Sequence, residues 1–174
     1  MSGALAHVAL GSNLGDRAAT LVSARDALAA LADAGTLVAS GVYETAPFGP
    51  RDQPDYLNAV VRLGSALAPE ALLDALQDIE RRHGRVREGA RRWGERTLDL
   101  DLLLLGQARV DSARLRVPHP GLAERAFVLA PLAELDPDLV VPGTGASVAE
   151  LLGRVDTQGV RRIGNLLGGG GPLR

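Results

Sequence analysis

The chain has 174 residues, 46% of them apolar, a formal net charge of −2 and no cysteine. This length suits one compact domain, and the near-neutral charge argues against a generic nucleic-acid or membrane binder. The lack of cysteine excludes disulfides, thiolate metal sites and a cysteine nucleophile. No apolar run approaches the roughly 18 residues of a membrane span, and the N-terminus has no charged signal-peptide region. We therefore expect a soluble, cytoplasmic protein.

Six elements are predicted in the first two thirds of the chain. Apolar residues at helical spacing indicate the helices, β-branched runs indicate the strands, and Gly and Pro mark their ends. In chain order the elements are a strand at 4–10, a helix at 16–34, strands at 36–45 and 56–65, a helix at 69–83 and a strand from 99. The order β-α-β-β-α-β predicts a ferredoxin-like α+β fold, an antiparallel sheet with helices covering one face.

The last third carries weaker signals. Residues 124–135 predict a helix despite Pro131, and Ser147 with Glu150 three residues later is typical of a capping box. Residues 168–174, "GGGGPLR", predict a flexible tail. We find no internal repeat and no linker, so we expect a single domain over 1–174.

The segment "RTLDLDLLLLG", residues 96–106, places two carboxylates in an apolar strand. Asp99 and Asp101 share one face because side chains alternate along a strand, and the same face is expected to continue with Leu103 and Leu105. Such a pair could hold Mg²⁺, which takes oxygen ligands and shares them with phosphate and water. Taken alone, an Asp-x-Asp pair favours a solvated strand face over a metal site.

An arginine-rich loop precedes this strand. Seven of the 19 arginines fall between residues 81 and 96, and the chain has no lysine. Arginine binds phosphate oxygens bidentately, so a loop of this kind beside a carboxylate pair indicates phosphoryl-transfer chemistry. Without lysine the chain is neither a P-loop NTPase nor an ordinary protein kinase. For Arg81, Arg82 and Arg91 we keep the interpretation of a solvated surface.

Aromatic residues are few and cluster in the sequence. Trp93 lies in the polar arginine loop, where stacking on a planar ring is favoured over a core position. Tyr43, Phe48 and Tyr56 flank the Pro/Gly loop, and Asn58 could read the edge of a flat heterocycle. Gln77 and Glu80 lie on one helical face, which is by default exposed, and His119 in "VPHPG" is by default structural.

Four segments together resemble the 6-hydroxymethyl-7,8-dihydropterin pyrophosphokinase family. They lie in the family's order and spacing within about residues 5–142, and "RWGERTLDLDLL" is the family signature; the segments are "HVALGSNLGDR", "YETAPFGPRDQPDYLNAVV", "ALQDIERRHGRVREGARRWGERTLDLDLLLLG" and "VPHPGLAERAFVLAPLAEL". The chain departs from the family at Pro120, where some members carry an aromatic residue, and at Arg116, often a small hydroxyl residue.

The resemblance implies a reaction and its cofactors. The family moves the β,γ-diphosphate of ATP as one unit onto the hydroxymethyl group of the pterin, releasing AMP, with two Mg²⁺ ions, in folate biosynthesis. It implies in-line attack on the β-phosphorus, and no general base stands out in the sequence. We expect small-molecule substrates, no nucleic-acid or membrane partner, and a monomer.

The resemblance also implies site residues. Asp99 and Asp101 would hold the metals, and Arg85 and Arg96 would be the catalytic arginines. The pterin would be bound by Thr45, Pro47, Phe48, Tyr56, Asn58, Trp93, Asp99 and Phe127. ATP would be bound by Gln77, Glu80, Arg87, Arg92, Arg96, Leu102, Arg114, Arg116, His119 and Arg125.

Two alternatives stay open beside this enzyme. A ferredoxin-like module could bind a nucleotide or single-stranded RNA, although no strand offers the exposed aromatics that RNA-binding sheets use. A related metal-dependent nucleotidyltransferase would use the same Asp-x-Asp pair but release pyrophosphate rather than AMP.

Overall fold

One antiparallel sheet of six strands organises the computed structural model of the chain, which describes residues 3–47, 51–84 and 97–166. The strands are β1 Ala4–Ser12, β2 Val38–Ala39, β3 Gly41–Thr45, β4 Tyr56–Ser65, β5 Asp99–Leu105, the short pair β6 Val110–Asp111 and β7 Arg116–Val117, and β8 Arg161–Asn165. The sheet order is β5-β1-β4-β3-β8, and β2 also pairs with β4. The first four strands of this order confirm the predicted ferredoxin-like α+β fold; β8, which extends the sheet beyond β3, was not predicted.

Four α-helices and one 3-10 turn lie in the described residues. The helices are α1 Arg17–Leu31, α2 Pro69–Arg82, α3 Ala126–Leu135 and α4 Val148–Leu152. Asp16 begins α1, its carboxylate accepting a hydrogen bond from the Ala19 N–H at 3.1 Å. Ser147 begins α4 in the predicted way, its hydroxyl accepting from the Glu150 N–H at 3.1 Å. The predicted helix at 124–135 is a 3-10 turn at 122–124 followed by α3.

The sheet separates two apolar cores. Helices α1 and α2 cover one face through side chains such as Leu28, Leu72 and Leu76. Helices α3 and α4 cover part of the other face through Leu129 and Leu151, which the prediction of helices on one face did not include. No helix in the described ranges has the length and apolarity that crossing a membrane requires. The first of the two cavities described below lies on the uncovered part of this second face, and the second cavity lies between α2, β5 and the loop that joins β6 to β7.

A bulge in β5 changes the face on which its last residues lie. Val8 of β1 pairs with Leu102, whereas His7 pairs with Leu104, so Leu103 has no opposite residue of its own. Asp99, Asp101 and Leu103 keep one face, but Leu105 turns to the α1–α2 core. The expectation that Leu105 shares the face of the aspartates is therefore wrong, because one extra residue reverses the alternation after it.

Candidate active site

A cavity of about 550 Å³ opens on the uncovered part of the second sheet face. Its size is that of an ordinary small-molecule site. The predicted pterin-binding residues of the described chain line it with one exception, and they come from β3, β4, β5 and α3: Thr45, Tyr56, Asn58, Asp99 and Phe127. The exception is Pro47, whose neighbour Ala46 lines the cavity instead.

A second cavity of about 490 Å³ adjoins the first. It is lined by α2, β5 and the loop between β6 and β7, and it contains five of the residues predicted to bind ATP: Gln77, Leu102, Arg114, Arg116 and His119. Asp99, Asp101, His119 and Pro120 line both cavities. The two predicted carboxylates therefore stand where one cavity meets the other.

The positions of Asp99 and Asp101 are set by the pairing of β5 with β1 and by the buried carboxylate of Glu80. Asp99 lies opposite Gly11 and Asp101 opposite Ala9 in β1. On the other side of β5, the Leu100 N–H donates to Oε2 of Glu80 at 3.0 Å. Glu80 is only 1% exposed and lines neither cavity. The default interpretation of Glu80 as an exposed residue on the helix surface is therefore wrong. Because Leu100 lies between the two aspartates, Glu80 fixes the strand that carries both.

His119 is held beside Asp101 by two backbone contacts. Its N–H donates to the Leu103 carbonyl of the bulge at 2.9 Å, and its Nδ1 accepts from the Gly121 N–H at 3.1 Å. Nε2 then lies 4.0 Å from Oδ1 of Asp101. Burial, and after it the charge of Arg125, lower the pKa of His119, although Asp99 opposes the shift. At neutral pH the ring is therefore uncharged, with its proton on Nε2, the nitrogen that faces the cavities.

The amide of Asn58 has a fixed orientation in the first cavity. Its Nδ2 donates to Oγ1 of Thr45 at 2.7 Å, and both residues are buried. Asn58 lies opposite Gly11 on β1, so Asp99, Gly11 and Asn58 form one row across three neighbouring strands. A carboxylate and an amide thus face each other across a glycine, an arrangement that suits the polar edge of a flat ring.

Two arginines predicted to bind ATP are paired with carboxylates at the rim of the second cavity. Arg114 contacts Asp74 and, at 3.3 Å, Glu70 of α2, while Arg116 lies 3.3 Å from Asp111. All of these side chains are exposed, so the pairs contribute little to stability and can open for an anionic ligand. Arg81 and Arg82 of α2 are exposed, as predicted, and both pair with Asp78. Arg91, for which the same was predicted, lies outside the described residues.

Other predicted residues lie elsewhere. Arg125, predicted to bind ATP, lines the first cavity and not the second. Six further predicted site residues lie outside the described residues: Phe48, Arg85, Arg87, Arg92, Trp93 and Arg96. The predicted tail at 168–174 lies outside them as well. Sequence reasoning missed Gly11, which lines the first cavity, and Gly121, which orients His119. Gly11 was interpreted only as the end of the predicted strand at 4–10, and Gly121 only as part of the turn "VPHPG".

Comparisons with known proteins identify the family of the chain. The 7,8-dihydro-6-hydroxymethylpterin-pyrophosphokinase (HPPK) family matches residues 7–137. The chain belongs to the HPPK family. It is an enzyme, and the predicted class, an ATP-dependent diphosphotransferase, is confirmed.

Individual relatives are named 2-amino-4-hydroxy-6-hydroxymethyldihydropteridine pyrophosphokinase. One from Pseudomonas aeruginosa is 47% identical over 157 residues, covering 90% of this chain and 95% of the relative. Another from Bacillus subtilis is 42% identical over 157 residues, covering 90% of this chain and 89% of the relative.

The solved structures support the fold. A Plasmodium falciparum HPPK-DHPS with pterin and p-hydroxybenzoate has a TM-score of 0.70 at 11% identity, covering 94% of this chain. This chain spans about half of that solved chain, 47%. At this identity the likeness concerns the fold alone.

Proposed function

We propose that this enzyme transfers the diphosphate of ATP to the hydroxymethyl group of 6-hydroxymethyl-7,8-dihydropterin, giving the pterin diphosphate and AMP for folate biosynthesis. The observation that carries the proposal is the position of Asp99 and Asp101 at the junction of two cavities. A transfer between two small molecules needs both held side by side in a reactive orientation. Carboxylates at the junction can hold the Mg²⁺ ions that phosphoryl transfer uses. The family and the names of the relatives support this assignment.

The first cavity is suited to the pterin. Asn58 and Asp99 offer an amide and a carboxylate to the polar edge of a ring, and Tyr56 and Phe127 offer aromatic surface to its faces. The second cavity is suited to the nucleotide, since Gln77 and His119 offer hydrogen-bonding groups and Arg114 and Arg116 offer positive charge. The hydroxymethyl group and the phosphates would then meet at the aspartate pair.

The aspartate pair fits magnesium. No group of three or more His, Asp or Glu side chains that could hold a metal occurs in the described parts of the chain. This suits Mg²⁺, which one or two carboxylates bind together with substrate phosphates and water rather than in a closed protein site. Asp99 and Asp101 would hold two ions, and bound Mg²⁺ would neutralise phosphate charge and lower the pKa of the attacking hydroxyl.

The chain's own residues act by position and charge. The pterin oxygen forms a bond to the β-phosphorus, the bond from that phosphorus to the oxygen it shares with the α-phosphate breaks, and AMP leaves. The hydroxyl proton passes to solvent. Neutral His119 can donate from Nε2 to a phosphate oxygen, and the arginines at 85 and 96 would neutralise charge during transfer.

A product assay tests the proposal. The protein is incubated with ATP, MgCl₂ and 6-hydroxymethyl-7,8-dihydropterin, and nucleotides are separated by chromatography. We expect one AMP for each pterin diphosphate, and no AMP when the pterin is omitted or EDTA is added. Release of pyrophosphate without AMP would instead identify a nucleotidyltransferase, and binding of RNA without ATP turnover would identify a binding module.

A further inference from the structure

Gly11 lines the first cavity, where its lack of a side chain needs an explanation. It is the next-to-last residue of β1, paired with Asn58 on one side and Asp99 on the other, and its φ is outside the left-handed region that requires glycine. Glycine inside a strand weakens the strand, because it adds backbone entropy and offers nothing to pack. The backbone conformation therefore does not explain why position 11 is glycine. The limited space above its Cα does explain it.

The space above Gly11 is bounded by two residues of the cavity. A Cβ at this position would lie 3.2 Å from Oδ1 of Asn58 and 3.5 Å from Cδ1 of Tyr56. The first distance is shorter than an ordinary contact, so Asn58 would have to move. Asn58 is buried, and its Nδ2 is already bonded to Oγ1 of Thr45 at 2.7 Å. Any movement of the amide would strain or break that bond.

From this geometry we propose that Gly11 is a specificity-determining residue of the ring-binding cavity. Its missing side chain keeps the floor flat between Asp99 and Asn58 and leaves the Asn58 amide in the orientation that reads the ring edge. The inference rests on the proposed function, since it assumes that the first cavity binds the pterin. It adds that a single methyl group on β1 is sufficient to impair that binding.

The test is the variant Gly11→Ala, with Gly64→Ala as a matched control. Gly64 is also a strand glycine, in β4, with a comparable contact of 3.1 Å from an added Cβ to Oδ2 of Asp33, and it lines neither cavity. Calorimetric titration with 6-hydroxymethylpterin is done with MgCl₂ and a non-hydrolysable ATP analogue present. The ATP analogue is titrated separately.

We expect Gly11→Ala to weaken pterin binding about tenfold, which corresponds to one impaired buried hydrogen bond. Binding of the ATP analogue is expected to stay within about twofold of wild type, a change of less than half a kcal/mol. Gly64→Ala is expected to bind the pterin like wild type. Unchanged pterin affinity in Gly11→Ala would overturn the inference, and so would an equal loss of pterin and nucleotide binding.

A double-mutant cycle with Asn58→Ala identifies the cause. Asn58→Ala weakens pterin binding by itself, but it also removes the atom that a methyl group at position 11 would meet. The Gly11→Ala change should then have little further effect on binding in the Asn58→Ala background. Additive losses would overturn the inference. If Gly11→Ala is too unstable to titrate, the same cycle is read from Tm, where rescue by Asn58→Ala supports the inference and no rescue overturns it.

The proposed function and this inference fail in different ways. If wild type produces no AMP and does not bind the pterin, the proposed function is wrong and the inference falls with it. If wild type produces AMP with the pterin and Gly11→Ala binds the pterin unchanged, only the inference is wrong.

Discussion

The two ends of the second sheet face carry similar polar side chains in very different surroundings. At the end covered by α3, Asp136 bonds to Nε2 of His7 and to Nη1 of Arg62, both at 2.7 Å. At the open end the same strands β1 and β4 present Gly11 and Asn58 to the first cavity, with Asp99 of the neighbouring β5. At the covered end Asp136 joins His7 to Arg62, whereas at the open end Asp99 lines a ligand-sized cavity.

Helix α3 connects the two ends. Near its C-terminal end, Glu134 accepts hydrogen bonds at 2.6 Å each from the Gly41 N–H, the Tyr43 hydroxyl and Nε of Arg162. Near its N-terminal end, Phe127 lines the first cavity. The contacts of Glu134 and the cavity wall formed by Phe127 therefore lie at opposite ends of one helix. Substitutions at the open end should change activity, and those at the covered end should change stability.

The largest expected effect is at the open end. Asp99→Ala or Asp101→Ala should lower kcat about 10³-fold or more, because each removes a carboxylate from the predicted metal site. Both positions are partly exposed, so the free energy of unfolding should change by no more than about 0.5 kcal/mol. AMP formation and urea unfolding measure the two quantities. Near-wild-type turnover at ordinary magnesium concentrations would show that the metal site is misassigned.

Glu80 should affect both properties, because it lies in a core and supports β5. Glu80→Ala leaves the buried Leu100 N–H without its acceptor, which should cost about 2 kcal/mol in unfolding free energy. It should also lower kcat by displacing the aspartates. Glu80→Gln keeps an acceptor oxygen and should lose less of each quantity.

Asp78→Ala is the control for Glu80, since Asp78 is an exposed acidic residue of the same helix. Chemical unfolding and steady-state kinetics are compared for the three variants. Equal effects of the Ala and Gln changes at position 80 would contradict the role given to the Leu100 bond.

Glu134 tests the covered end. Glu134→Ala removes an acceptor shared by three donors, so we expect the free energy of unfolding to fall by about 2 kcal/mol. The KM values of the folded enzyme should change little. Glu150→Ala, at an exposed site in α4, should change stability by about 0.5 kcal/mol or less. A loss of turnover without a loss of stability in Glu134→Ala would reverse the assignment of the two ends.

The smallest expected effect is the pH dependence at His7. Burial lowers the pKa of His7 below its usual value of 6.5, even though Asp136 opposes the shift. The unfolded chain therefore takes up the proton first, so stability is full above about pH 6.5 and falls as the pH drops below it. Between pH 7.5 and 5.5 we expect the free energy of unfolding to fall more in wild type than in His7→Gln, as measured by urea unfolding at the two pH values. Parallel losses in the two proteins would exclude His7 as the source.

Tyr43, also at the covered end, titrates only at high pH. Burial and the neighbouring Glu134 carboxylate raise the pKa of Tyr43 to about 12. The bonds from Gly41, Tyr43 and Arg162 to Glu134 outweigh the effect of burial and lower the pKa of that carboxyl. Around neutral pH Glu134 therefore stays ionised and Tyr43 stays protonated, so the hydrogen bond between them persists.

Several features were predictable from local pattern. Alternation along β5 placed Asp99 and Asp101 on one face, Pro69 marked the start of α2, and Ser147 marked the start of α4. Others were not. Glu80 reads as exposed because a helical pattern does not show that its carboxylate meets the edge of β5, and Leu105 is misplaced because a bulge depends on pairing with β1.

The sequence by itself determined the β-α-β-β-α-β order of the core elements, the carboxylate pair and the family, because those depend on residue type and spacing along the chain. Only the tertiary structure decided that α3 divides the second face, that two cavities meet at Asp99 and Asp101, and that Gly11 lies under the Asn58 amide. These facts depend on contacts between strands and helices far apart in sequence. Such contacts arise from the packing of the whole sheet, which no local pattern contains.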